Sequence, residues 1–381
     1  MTRILVVALA VALSACTDDE PVVIPPPTST AITLPPRPRP EPRPGAPGVV
    51  TVAVLSDLHT PNDGEVSEPL ERLVAALLEL RPTAVVITGD FTNGDVTDGL
   101  WRQRRATMWY AAVRTALAPL TRAGIPVFPV AGNHDSYLDG QRRAYAMAWR
   151  DLDHLAAPYE IHSAPLAAGE AYRIDAAPFT YAVDLGGVHL AFGHLVDQHL
   201  RPDVGHWLAA DLDAAAGARA RLVFGHVPAV SVMGDPAPLF EREMFGLLAG
   251  RADAYVAGHE HLVWDETFRQ GAARLHQISV GCATGAYVFP PSPRARSRAA
   301  CGGRWPYLRC AMPETGDRFS LRPHPRGLIE RHRQTFTLVE VAADGQIRAH
   351  PYAIDPRGRL VDWAEPTVPP VVAAAAAAAA R

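Results

Sequence analysis

Asp57 and His59 stand one residue apart, Asp90 follows a glycine, Asn133 is followed by His134 and Asp135, His226 follows a glycine, and His259 and His261 again stand one residue apart. Carboxylate, carboxamide and imidazole offer oxygen and nitrogen donors without a thiolate, a set suited to Mn, Fe or Zn rather than to a soft-metal site or a calcium cage. Asp57, His59, Asp90, Asn133, His226, His259 and His261 are too many for one tetrahedral ion. With one carboxylate bridging, they fit two divalent or mixed-valence ions about 3.5–4 Å apart, an arrangement that binds a phosphoryl group and generates hydroxide for in-line attack.

Something must bring these positions together, and the hydrophobic pattern says what. Val50 to Leu55 is a short apolar run of strand type, and Leu70, Leu73, Val74, Leu77 and Leu78 repeat at helical spacing. A strand at Ala84–Thr88, a helix over about Leu100 to Ala123 with Trp109, Val113, Leu117 and Leu120 on one side, and a strand at Pro126–Val130 follow. Phe179–Leu185 and Val188–Phe192 flank Gly186-Gly187 as a hairpin. A helix around Val204–Ala216, a strand at Arg221–Phe224, a helix around Leu239–Leu248 and a strand at Asp253–Ala257 come next. Strands at Arg274–Val280, Thr335–Val341 and Gln346–His350 close the α/β pattern. Each donor group directly follows a predicted strand, and ligand sites of α/β sheets lie beyond the carboxyl ends of strands.

The ordered set Asp-x-His, Gly-Asp, Gly-Asn-His-Asp, Gly-His and Gly-His-x-His, running from Val50 to His261, resembles the calcineurin-like metallophosphoesterase family. The resemblance implies a four-layer α-β-β-α sandwich. It implies that Asp57, His59 and His261 hold one metal, that Asn133, His226 and His259 hold the other, and that Asp90 bridges. His134 would be the general acid beside the leaving group, and Asp135 would orient its imidazole. Phe192-Gly193-His194 and Phe224-Gly225-His226 are locally alike, but only His226 is followed by the proline, Pro228, that matches the family's His-x-Pro element. His194 is open to two readings, a substrate-pocket residue or a structural histidine. His199 and His206 read as surface or helix-cap residues, and Glu260 as an outward neighbour of the ligands.

Departures from family patterns narrow the substrate. After Gly89-Asp90 comes Phe91-Thr92-Asn93-Gly94, without the acidic and arginine residues of the protein Ser/Thr phosphatases and without the tyrosine ligand of the purple acid phosphatases. The remaining resemblance is to phosphodiesterase branches, with a phosphomonoesterase or nucleotidase as the alternative. A non-catalytic envelope binding lipoprotein on the same scaffold is the rival from another class.

Of 381 residues, 48% are hydrophobic and 20% charged, and the formal net charge is −4, so no nucleic-acid partner is expected. No lysine occurs; arginine carries all the fixed basic charge. Arg3 precedes an apolar run, Ile4 to Leu13, shorter than the about 20 residues of a membrane span. The run ends in Leu13-Ser14-Ala15-Cys16, which resembles a bacterial lipobox, implying export, a lipid on Cys16 and anchorage to a membrane of the cell envelope; Thr17 in place of aspartate favours outer-membrane sorting in a Gram-negative host. Residues 1–15 thus read as a lipoprotein signal peptide, 16–48 as a proline-rich tether able to reach roughly 100 Å, 49–365 as the catalytic domain, and 366–381 as a low-complexity, alanine-rich tail. Within the domain, about 286–333 is an Arg- and Pro-rich insertion whose Arg294, Arg296, Arg298, Arg304 and Arg309 could cap the metal site. An exported chain permits a disulfide between Cys301 and Cys310, which leaves Cys282 as a buried thiol.

Overall fold

Alternating side chains of the first strand face two different layers, and that alternation organises the molecule. The structure, a computed structural model, describes residues 48–60, 67–94, 103–196, 199–231, 238–261, 263–283, 334–354 and 360–362. In chain order these form β1 (Val50–Leu55), α1 (Glu68–Leu80), β2 (Ala84–Ile87), α2 (Gln103–Arg122), β3 (Val127–Pro129), α3 (Asn133–Ser136), α4 (Asp139–Ala148), α5 (Leu152–Ala156), β4 (Tyr181–Leu185) and β5 (Val188–Phe192). Then come α6 (Pro202–Ala214), β6 (Ala220–Phe224), α7 (Pro238–Leu248), β7 (Ala254–Ala257), β8 (Val263–Gln270), β9 (Ala273–Val280), β10 (Gln334–Val341), β11 (Ile347–Ile354) and β12 (Leu360–Asp362).

Two six-stranded sheets result, in the orders β12-β11-β10-β1-β2-β3 and β4-β5-β6-β7-β9-β8. The strands that lead into the candidate ligands are parallel within each sheet: β1 to β2 to β3 in the first, and β5 to β6 to β7 in the second. Ala53 and Leu55 of β1 pack outward with Leu73, Leu77, Val113 and Leu117 of α1 and α2. Val50, Val52 and Val54 face inward and meet Val183, Leu190, Leu222 and Val256 of the other sheet. The outer face of the second sheet is covered by α6 and α7 through Leu208, Leu212, Phe240 and Met244. This is helix, sheet, sheet, helix: the expected four-layer sandwich.

Between the sheets Phe192 stacks on Phe128 (5.3 Å between ring centroids), Tyr181 (4.5 Å) and Phe224 (5.2 Å). Tyr181 also donates its hydroxyl to the Pro129 carbonyl across the layers at 2.7 Å. The two sheets are therefore held in one register by aromatic packing and a buried hydrogen bond.

The predicted elements are present with ends shifted by a few residues, and α3, α4, α5, β8 and β12 are additions. The signal and tether (1–47) with Cys16, the insertion with Cys301, Cys310 and its arginines, and the tail lie outside the described residues. Among the described residues no helix is long and apolar enough to cross a membrane.

Candidate metal centre

β1, β2 and β3 end side by side, so the loops that follow them are forced together. Asp57 N–H donates to the Gly89 carbonyl (3.0 Å), and His59 N–H to the Asp90 carbonyl (2.9 Å), tying the first two exits into one ledge. On the other sheet, Gly258 N–H donates to the His226 carbonyl at 3.0 Å, joining the exits of β6 and β7. The two ledges meet closely: a Cβ on Gly258 would stand 1.7 Å from Ser56 Oγ, and one on Gly89 would stand 2.6 Å from His226 Nδ1. Only glycine fits these approaches.

Six non-glycine residues among those described have positive φ, and five are expected ligands: Asp57 (56°), His59 (42°), Asp90 (53°), His259 (68°) and His261 (54°). The left-handed region costs an ordinary residue of order 1 kcal/mol or more. The chain accepts that cost where it turns these side chains inward.

The structure brings all seven expected donors together. His261 Nε2 lies 3.2 Å from both His59 Nε2 and Asp57 Oδ1. Asn133 Oδ1 lies 2.8 Å from His226 Nε2 and 3.0 Å from His259 Nδ1. Asp90 Oδ2 stands between these groups, 3.2 Å from His226 Nε2 and 3.9 Å from His59 Nε2. Donor atoms of Asp57, His59 and His261, of His59, Asp90 and His134, and of Asp57, Asp90 and His226 each lie within 4.8 Å of one another. Converging imidazole nitrogens and carboxylates, turned inward on strained backbone, fit a pair of divalent cations, with Asp90 placed to serve both.

Supporting contacts set the tautomers. His226 Nδ1 donates to the Thr88 carbonyl at 2.7 Å, which leaves Nε2 as the coordinating atom. His259 N–H donates to Asp57 Oδ2 at 3.1 Å. Asn133 Nδ2 donates to the Tyr137 hydroxyl at 2.5 Å, fixing the amide so that its oxygen faces the centre. Cys282 is buried, and its thiol donates to the Asp57 carbonyl at 3.3 Å.

Burial alone would raise both aspartates, yet His261 and His226 hold Asp57 down at about 2, and His226, with His134 and His59, holds Asp90 well below the usual carboxylate range. Burial would lower His226, but Asp90 and Asp57 push it up to about 9. Burial wins at His59, which is drawn down to about 4 against the pull of Asp90 and Asp57. The carboxylates are thus ionised and ready for a cation.

His134 is 32% exposed at the edge of the cluster, with Nε2 3.9 Å from Asp90 Oδ2. Its orientation corrects one expectation. Asp135 does not hold the imidazole: it accepts from Gly132 N–H (2.9 Å), Phe91 N–H (3.2 Å) and the Tyr110 hydroxyl (2.7 Å), while His134 Nδ1 donates to the Asn93 carbonyl. Three residues into a short helix, Asp135 turns back to cap the Gly132 end, so it braces the loop instead. Burial and the nearby Asp90 push its carboxyl up to about 7 against those three hydrogen bonds. Glu260 is a second correction: it is buried, not outward, and accepts from Ser231. His199 and His206 are exposed, as expected. His194 is buried but belongs to none of the ligand groupings.

The family model of calcineurin-like phosphoesterases matches residues 50–263. No curated protein matches the sequence. Among solved structures the chain is similar to GAP50, the anchor in the inner membrane complex of Plasmodium, with a TM-score of 0.47 at 12% identity over 82% of this chain and 88% of that one. It is also similar to a dimetal phosphatase from Danio rerio (TM-score 0.39, 14% identity, 61% and 87% covered) and to the calcineurin-like phosphoesterase YfkN from Bacillus subtilis (0.36, 10%, 84% and 92%).

Proposed function

This chain belongs to the calcineurin-like phosphoesterase family and is a metallophosphoesterase, a hydrolase; from that premise we propose that it is a phosphodiesterase working outside the cytoplasm with a dinuclear centre. The observation that carries the reading is the convergence of Asp57, His59, Asp90, Asn133, His226, His259 and His261 from strand ends of both sheets. Bound there, two divalent ions would supply Lewis-acid polarisation of the phosphoryl group and a nucleophile at neutral pH. Asp57, His59 and His261 would hold one ion, Asn133, His226 and His259 the other, and Asp90 both.

The chain's own part in turnover falls to His134. With Nδ1 donating to the Asn93 carbonyl, the ring presents Nε2 toward the cluster and can carry a second proton there, to be handed to the departing oxygen. The backbone N–H of His134 donates to Asp90 Oδ1 at 2.9 Å, so the acid and the shared carboxylate are positioned as a unit. Asp135, Tyr110 and Gln141, whose amide donates to the His134 carbonyl at 3.0 Å, keep that turn rigid.

The preference for diesters rests on the loop after Asp90: Phe91-Thr92-Asn93 brings no arginine to meet the second charge of a monoester. Export and anchorage rest on the apolar run and Cys16. Rates of the Mn-loaded chain on an aryl phosphodiester and the matching monoester test the first point. A diester rate at least about tenfold higher supports it; the reverse ratio assigns a phosphomonoesterase or nucleotidase, and no turnover with metal bound assigns a binding protein. Membrane fractionation of the chain and of Cys16→Ser tests the second: release of the variant supports anchorage, and equal partitioning refutes it.

A further inference from the structure

Ser136, the last residue of α3, lines a cavity of about 420 Å3 that none of the seven metal-centre residues lines. Its most unusual wall is His194, 5% exposed and edge-on to Phe179 at 5.4 Å between centroids. The backbone N–H of His194 donates to Thr180 Oγ1, but both ring nitrogens are buried without a hydrogen-bond partner among the described residues. An unsatisfied buried polar group of this kind costs stability and calls for a reason.

The surrounding charges supply one. Arg142 donates to the Tyr172 hydroxyl (3.1 Å) and the Ser136 carbonyl (2.8 Å), so Nη2 is left over, and no carboxylate pairs with it among the described residues. Arg201 is half exposed and meets Asp203 only at 3.4–3.5 Å. Asp175, by contrast, is fully engaged by Arg173 through two hydrogen bonds. Arg201 is also the N-cap of the 13-residue α6, whose first turn meets the same space with Asp203 accepting from Val204 N–H at 3.1 Å, so that helix end already carries one carboxylate and the arginines are what remains to meet an anion. Burial, with Arg142 and Arg201 adding to it and Asp203 opposing, draws the His194 imidazole down to about 3, so the ring stands neutral in this wall.

We propose that this cavity is an oxyanion site separate from the metal centre, in which Arg142 and Arg201 balance the charge of a phosphate, sulfate or carboxylate group and His194 donates its ring N–H to it. Because Ser136 lies two residues beyond His134, the occupant is either a free anion or an anionic group on the leaving side of a substrate.

Sulfate is the probe. Titrated into the 15N-histidine-labelled, metal-loaded chain against chloride of equal ionic strength, it is expected to shift the His194 ring signals saturably, those signals being identified by their loss in His194→Phe. Arg142→Gln with Arg201→Gln should weaken that shift about tenfold, the worth of a charge-assisted contact. Arg201→Gln alone alters a half-exposed residue, so it serves if the double variant fails to fold. A second arm compares KM for aryl diesters with and without a carboxylate on the leaving group. A KM ratio that rises about tenfold in Arg201→Gln assigns the site to the substrate; a sulfate response with an unchanged ratio assigns it to a free anion. Unmoved His194 signals, or shifts confined to the metal-centre histidines, together with an unchanged ratio, overturn the proposal. The sulfate arm needs no turnover, so it reads independently of the hydrolytic function.

Discussion

The first sheet delivers every oxygen donor of the metal centre, Asp57, Asp90 and Asn133, whereas the second delivers only imidazoles, His226, His259 and His261. The first half taken alone would place two buried carboxylates close together, and each raises the other's cost. The second half alone would converge imidazoles on nothing. Each aspartate is held ionised by a histidine from across the sandwich, Asp57 by His261 and Asp90 by His226. The Thr88 carbonyl of the first sheet in turn fixes the tautomer of His226 in the second. The centre is thus a product of sheet closure, and the aromatic stack of Phe128, Phe192 and Phe224 sets how the halves meet.

The largest effect should follow from removing the ions. Chelation should abolish hydrolysis and Mn should restore it. Because metal binds only the joined halves, the loaded chain should also unfold at higher temperature, by about 2.7 kcal/mol of stability at a hundredfold excess over Kd. Identical melting with and without metal would break the link between closure and binding.

Next is His134→Gln, which leaves both ligand sets intact. Its kcat should fall on the order of 10^3-fold, more for a poor alkoxide leaving group than for nitrophenolate, with metal content unchanged. An equal loss for both leaving groups would remove His134 from the acid role. Phe192→Ala, in the layer between the sheets and far from any ligand in sequence, should cost about 3–4 kcal/mol by denaturant unfolding and weaken metal binding as well. Full stability loss with unchanged metal affinity would show that the ligand loops do not depend on how the sheets are packed.

The smallest effect concerns a histidine of the second sheet that serves structure alone. His189 is buried, with Nδ1 2.9 Å from Asp184 and Nε2 2.8 Å from Asp211. Burial pulls its pKa down, but the two carboxylates outweigh that and raise it above 6.5. A raised folded value means the stabilisation is complete below about 6.5 and is lost as pH climbs through the folded pKa. His189→Gln should therefore cost about 1 kcal/mol or less at pH 6 and less still at pH 9, measured by denaturant midpoints. A cost that grows with pH would reverse the sign.

The strands that lead into the donors, and all seven donors, were legible because each donor follows closely on an apolar run, and the order of the groups is unusual as a set. Contacts made by backbone atoms were not. The Asn93 carbonyl that holds His134 carries no side-chain signature, so a neighbouring carboxylate, Asp135, drew the role on sequence grounds. Helix α4 was missed because its first half, Asp139-Gly140-Gln141-Arg142-Arg143, offers no apolar residue, and the buried position there is the polar Gln141. Strand β8 was missed because Asp265, Glu266 and Arg269 interrupt its apolar residues, although Glu266 is buried. The cavity at His194 depends on Arg142, Tyr172 and Arg201, distant in sequence and brought together only by the fold.

Metal stoichiometry in the chain and in Asp90→Asn, read by Mn titration alongside hydrolysis of an aryl phosphodiester, bears most directly on the shared centre. Two ions per chain, falling to one or none in the variant together with a loss of activity on the order of 10^3-fold, is the result expected if Asp90 joins the donors of both sheets into one site. A single ion in the unaltered chain, or a variant that keeps two ions and its activity, would contradict it.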